Sequence, residues 1–189
     1  MKNGKMIILA ILAIIAVLAV LGLLVQGCTK APAGPTEPSA PTEPSAPTNG
    51  EVIKPQVEEN STGAKLWAEF QQEITKNPDA TPKEIADVLV GVMASQFMGE
   101  ATAIEKGAEY LAGFDNYRVT GYRDGAMYGP TIGSIAFVGY VFELEDGTDP
   151  TAFVKSLTEN CNPRWNICVS AEQTACGAIG NRVFFVMCP

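Results

Sequence analysis

The sequence predicts an α+β domain, an antiparallel sheet with helices packed on one face, preceded by an apolar N-terminal helix and a disordered Pro-rich stalk. The first observation behind this is compositional: 21 of residues 1–30 are apolar, 7 of residues 31–60, and 60 of residues 61–189. The second is that every Phe, Tyr and Trp lies beyond residue 60, so only that part supplies the large side chains of a packed core. The third is a change of period within it, from helical spacing to strand-like runs bounded by Gly and Pro. The expected organisation is a signal or anchoring segment over 1–27, a linker over 28–60 and a globular α+β domain over 61–189.

After Lys2 and Lys5 the chain runs from Met6 to Val25 without a charge or a hydrogen-bonding side chain. As a helix at about 1.5 Å per residue this run reaches about 30 Å, enough to cross a bilayer core. Lysines ahead of the run place the N-terminus inside and the rest of the chain outside. Next comes Val25-Gln26-Gly27-Cys28, which resembles the lipobox of bacterial lipoproteins: a branched apolar residue at −3, a small one at −1 and an obligatory Cys at +1. The resemblance implies that the thiol of Cys28 receives a diacylglycerol and that cleavage makes Cys28 the new N-terminus. Gln26 is larger and more polar than the residue usual at its position, and the apolar run is longer than an ordinary signal core. Retention as an uncleaved single span therefore stays open beside cleavage. Both outcomes tether the domain to the outer face of the cytoplasmic membrane.

The linker contains PTEPSA twice, over 35–40 and 41–46, with prolines at 32, 35, 38, 41, 44 and 47. A spacing of three matches the three residues per turn of polyproline II and suits a semi-rigid spacer. A docking motif for a proline-reading domain and O-glycosylation of its Ser and Thr residues are the other readings.

Within the domain, Leu66, Trp67, Phe70 and Ile74 form one apolar stripe and predict a helix over 63–76. Thr81-Pro82-Lys83-Glu84 combines a capping box with Pro at the first helical position, and the apolar positions behind it predict a helix over 82–96. Residues 100–115 are compatible with a helix or with a short strand over 101–105. Tyr117–Tyr128 reads as a strand and Ile135–Leu144 as a central strand covered on both faces, the two forming an antiparallel pair across Gly129-Pro130. Asp146-Gly147 marks a turn and Asp149-Pro150 opens a further helix. Gly180-Asn181 closes a final hairpin between strands over 174–179 and 182–188.

The chain has no histidine, which excludes imidazole-based nucleophile activation and imidazole metal ligands. A net charge of −8 without a basic cluster argues against nucleic acid. Cys161, Cys168, Cys176 and Cys188 match no metal or redox spacing, and in an exported chain they are candidates for two structural disulfides; buried free thiols are the alternative. The acids Glu143, Glu145, Asp146 and Asp149 lack the pattern of a calcium loop and read as turn, cap and surface. Gly125, Gly129 and Gly133 read as turn and bulge positions. Arg164-Trp165-Asn166 is the candidate recognition patch, with a core role for Trp165 as the competing reading. Tyr117, Tyr122 and Tyr128 read as half-buried sheet residues. No catalytic residue, metal or cofactor is assigned.

The segment GPTIGSIAFVGYVFELEDGTD and the tetrad-plus-one RWNIC, with the general layout, look like the small uncharacterised α+β modules carried by lipoproteins of Gram-positive anaerobes. This resemblance brings no activity with it. The expected function is a membrane-tethered, non-catalytic module that binds or scaffolds an envelope protein or surface ligand. A membrane-anchored surface enzyme using carboxylates and an accessory subunit of an envelope complex are the alternatives.

Overall fold

The computed structural model describes residues 51–189 apart from Ser134 and Ile167. The apolar run, Cys28 and the Pro-rich repeats lie outside the described residues. No helix among the described residues is long and apolar enough to cross a membrane.

Two helices open the domain, each started by a side-chain cap. Helix α1 (Thr62–Lys76) begins where Ser61 Oγ accepts the Ala64 N–H at 3.1 Å, and it buries Leu66, Trp67 and Phe70 on one stripe. Helix α2 (Pro82–Val92) carries the expected capping box: Thr81 N–H donates to Glu84 at 2.8 Å and Glu84 N–H donates back to the Thr81 hydroxyl. It stops four residues short of Gln96 because Met93 N–H turns to the Val90 carbonyl, tightening the last turn.

Six strands form one sheet. They are β1 (Val52–Ile53), β2 (Gly99–Ala103), β3 (Tyr122–Pro130), β4 (Val138–Leu144), β5 (Gln173–Ile179) and β6 (Arg182–Cys188). Their order is β1-β5-β6-β4-β3-β2, and every neighbouring pair is antiparallel. Of the ambiguous stretch 100–115, only the part up to Ala103 is a strand and the rest is neither helix nor strand, and the strand expected from Tyr117 begins at Tyr122. Gly180 takes φ 57° in the two-residue turn of the β5–β6 hairpin, as the sequence implies. Helix α3 (Pro150–Asn160) lies between β4 and β5 and starts where Asp149 accepts the Thr151 N–H at 2.9 Å. Val52 and Ile53 join the sheet and Val57 packs on the core, so the folded domain recruits residues assigned to the linker.

Helices do not stay on one face, contrary to the sequence expectation. Phe184, Val186 and Val141 meet α1 and α2, whereas Val183, Phe185, Met187, Tyr140 and Phe142 meet α3 on the opposite face. Strands β4 and β6 are apolar at nearly every position, and side chains alternate between faces, so both faces must be covered. The second cover is completed by Phe114 and Val119 from the segment after β2 and by Trp165 and Val169 from the segment after α3.

Candidate functional site

On the second face, the irregular segment 104–121 folds back on itself and on β3. Ala108 N–H donates to Glu105 O at 2.9 Å, Val119 N–H to Glu109 O at 2.8 Å, and Ile104 N–H to Gly125 O at 2.8 Å. Tyr122 Oη donates to the Ala108 carbonyl. Burial pushes the Tyr122 phenol above its ordinary range, so it stays a donor. Gly121 at φ 94° turns the chain into β3, and its carbonyl accepts from Thr148 Oγ1 at 3.1 Å and Glu145 N–H at 3.0 Å. Between these walls runs a groove of about 600 Å³.

Its charged lining comprises Glu105, Lys106, Glu109, Arg123, Asp124 and Glu145. Arg123 is committed: Nη2 donates to Glu143 at 2.5 Å and Nη1 lies 3.5 Å from Asp146. Glu143 also meets Arg182 at 3.2 Å across the β4–β6 ladder. Burial raises the Glu143 carboxyl, but hydrogen bonding from Arg123 and Asn181 and the two guanidinium charges outweigh it and hold the carboxyl below its usual value. Arg118 pairs with Glu109 and lies 5.8 Å from the Tyr110 ring centroid. Lys106 makes no ion pair among the described residues and stands exposed at the groove. The groove carboxylates are exposed or half-exposed. Backbone edges and charges of both signs equip this groove to hold a polar, partly charged ligand.

The residues expected to act elsewhere fall as follows. Trp165 is half-buried and packs on the second-face core, and its backbone N–H donates to Asn162 O at 3.1 Å. Arg164 is exposed, and its N–H is capped by Asn162 Oδ1 at 2.9 Å, while the Asn166 carbonyl closes a turn to Val169 N–H. The three residues lie in a turn, with Arg164 exposed and the Trp165 side chain half-buried against the second-face core. Tyr117, Tyr122 and Tyr128 do not share a strand face. Tyr117 precedes β3, Tyr122 faces α3's side, and Tyr128 is fully buried toward α1 and α2.

Cys161, Cys168, Cys176 and Cys188 are all free thiols. Cys176 and Cys161 lie on the second face, whereas Cys188 lies under α1 on the first, so the sheet separates Cys188 from both. Two bridges among the four candidates do not match this placement: Cys168 is exposed and Cys188 is fully buried. Burial pushes the Cys188 thiol up to about 11 and raises Cys161 and Cys176 as well. The acids of the β4–α3 turn serve the roles expected of them: Gly147 at φ 84° makes the turn and Asp149 the cap. Gly125 differs from its expected turn role. A Cβ there would lie 2.8 Å from Ile104 Cδ1, so the glycine admits the groove segment against β3.

The groove was not legible in the sequence because its walls are joined by hydrogen bonds, from backbone and side chains, between residues up to 27 positions apart. The one local signal was Gly121 before the Tyr122 strand. Such a domain belongs to the α+β class, a six-stranded antiparallel sheet covered on both faces. No protein-family model, curated protein or solved structure matches the chain.

Proposed function

We propose that the protein is a membrane-tethered extracytoplasmic lipoprotein whose folded domain is a non-catalytic binding or scaffolding module at the outer face of the cytoplasmic membrane. The observation that carries this is the order of segments: paired lysines, twenty uninterrupted apolar or small residues, Val25-Gln26-Gly27-Cys28, and a proline-spaced linker ahead of every aromatic residue. Each segment has a physical role in that order, namely insertion, acylation and reach. The groove beside Lys106 supports the binding half of the proposal, because its polar lining suits recognition and the chain holds no histidine for acid–base work.

Replacing Cys28 by Ser tests the tether. Intact-mass analysis and membrane fractionation of the full chain are expected to show loss of the acyl groups and failure of cleavage after Gly27. A Cys28→Ser variant that migrates and fractionates as the parent does would overturn lipidation and leave an uncleaved span.

A further inference from the structure

The two edges of the sheet are finished differently. At one, the Gly180 N–H donates to Glu51 O at 2.9 Å, and Ile53 O and Pro55 crowd Gly177, so a strap with a proline closes the ladder. At the other, β2 stands alone with sequence Gly-Glu-Ala-Thr-Ala. Its Met98 carbonyl accepts from Thr131 N–H and its Ile104 N–H donates to Gly125 O, so alternate residues Glu100 and Thr102 face β3. The N–H and C=O groups of Gly99, Ala101 and Ala103 therefore point outward, and among the described residues they have no backbone partner. The edge has no proline or lysine to block it, and its outward residues are small.

Among the described residues, four of the five exposed large apolar side chains lie at or beside this edge. They are Met98 (79% exposed), Ile132 (80%), Tyr110 (68%) and Met127 (38%). Tyr110 and Met127 join Thr102 and Ile104 around a hollow of about 200 Å³ on the second face.

We propose that β2 is a dimerisation edge, at which a second copy of this chain adds its own β2 antiparallel about a two-fold axis at Ala101. In that register Gly99 meets Ala103, Ala101 meets itself and Ala103 meets Gly99, each pair exchanging two hydrogen bonds. Every outward group of the edge is used. Between them Glu100 opposes Thr102 of the second copy, so a carboxylate meets a hydroxyl and no like charges face each other. Met98 of one copy falls opposite Ile104 of the other and on the same face as Thr102 by strand alternation, beside the apolar hollow. Shifting the axis to Glu100 would set two carboxylates together and leave Ala103 unpaired. Shifting it to Thr102 would leave Gly99 unpaired. The hydrogen bonds, the charges and the apolar flank thus select the same register, and a self-complementary strand is what an isologous two-fold interface requires. This assignment does not depend on the tethering proposal.

Sedimentation equilibrium of the full chain, reduced and in excess detergent micelles, tests it. The parent is expected to dimerise. Ala101→Pro removes an outward N–H and is expected to give a monomer whose thermal transition no longer rises with protein concentration, as the parent's does. Thr102→Glu sets like charges at two symmetric pairs and Thr102→Lys sets opposite ones, so the dimer constant is expected to weaken and to tighten, respectively, by about two- to thirty-fold. A parent that stays monomeric throughout the micromolar range overturns the proposal, as does one that instead forms one-to-one complexes with a heterologous extended peptide. Equal shifts from Thr102→Glu and Thr102→Lys overturn the register, and this pair decides the matter if Ala101→Pro fails to fold.

Discussion

The two faces of the sheet are covered by different physics. On the first, α1 and α2 lay regular apolar stripes on Phe184 and Val186, with Trp67, Phe70 and Phe184 in mutual aromatic contact at centroid distances of 5.4 to 5.7 Å. On the second, α3 covers part and an irregular segment covers the rest through Phe114, held by its backbone. Tyr140 Oη donates to Ala112 O at 2.9 Å, Asn162 N–H donates to Gly113 O at 2.7 Å, and Tyr122 holds Ala108. A regular cover leaves little polar backbone to offer, because each helix satisfies its own. An irregular cover leaves walls and gaps, and both the groove and the hollow occur there.

Breaking the faces one at a time is expected to give the largest effects. Phe184 and Phe185 are adjacent, fully buried and on opposite faces, so Phe184→Ala and Phe185→Ala should each cost about 3–5 kcal/mol by urea denaturation. Native-state hydrogen exchange should separate them: Phe184→Ala should expose α1 amides most, and Phe185→Ala those of the 104–121 segment. Identical exchange patterns would show that the faces do not behave as separate covers.

Single hydrogen bonds come next. Thr81→Ala removes the cap of α2 and should cost about 1 kcal/mol, leaving the second face unaltered. Tyr122→Phe removes the bond to Ala108 and should cost about 1 kcal/mol while selectively accelerating amide exchange of Ala108 and its neighbours. The reverse effect is expected at Tyr128, whose buried hydroxyl has no partner among the described residues. Tyr128→Phe should stabilise the protein by about 1 kcal/mol, and a loss instead would reveal a bond to that hydroxyl.

The smallest effect is in acid. The folded carboxyl of Glu143 titrates below its ordinary value of 4.5, so folding favours its charged form. Its contribution is complete above that value and is lost as pH falls through the lower folded one. Parent and Glu143→Gln should therefore differ in urea midpoint at neutral pH and converge on acidification below 4.5; a gap that widens in acid would contradict the assignment.

Much of the helix-covered side was legible in advance. The capping box at Thr81, the stripe of Leu66, Trp67 and Phe70, and the Asp149-Pro150 start are local devices whose partners lie within a few residues. The hairpin at Gly180 was legible for the same reason. The second cover was not, because Phe114 reaches Phe185 at 5.1 Å between centroids from far along the chain, within a segment of no fixed period. Tyr128 misled the reading of a tyrosine strand because the bulge between Tyr122 and Asp124 shifts the alternation of β3. A Cβ on Gly139 would lie 2.1 Å from Tyr128 Cζ, so the ring occupies the space that glycine leaves on β4. Nothing near Tyr128 in sequence encodes that.

By itself, the sequence determined the segment order, the class of the domain, its helix starts and its lack of imidazole chemistry, since each depends on composition or on neighbours within one turn. Tertiary structure decided which face each helix takes, the separation of Cys188 from Cys161 and Cys176, the packing of Trp165 on the second-face core, and the groove and open edge. Those outcomes depend on strand order and on which distant backbone groups find partners. Both are settled only when the whole chain minimises exposed apolar surface and unpaired amides together.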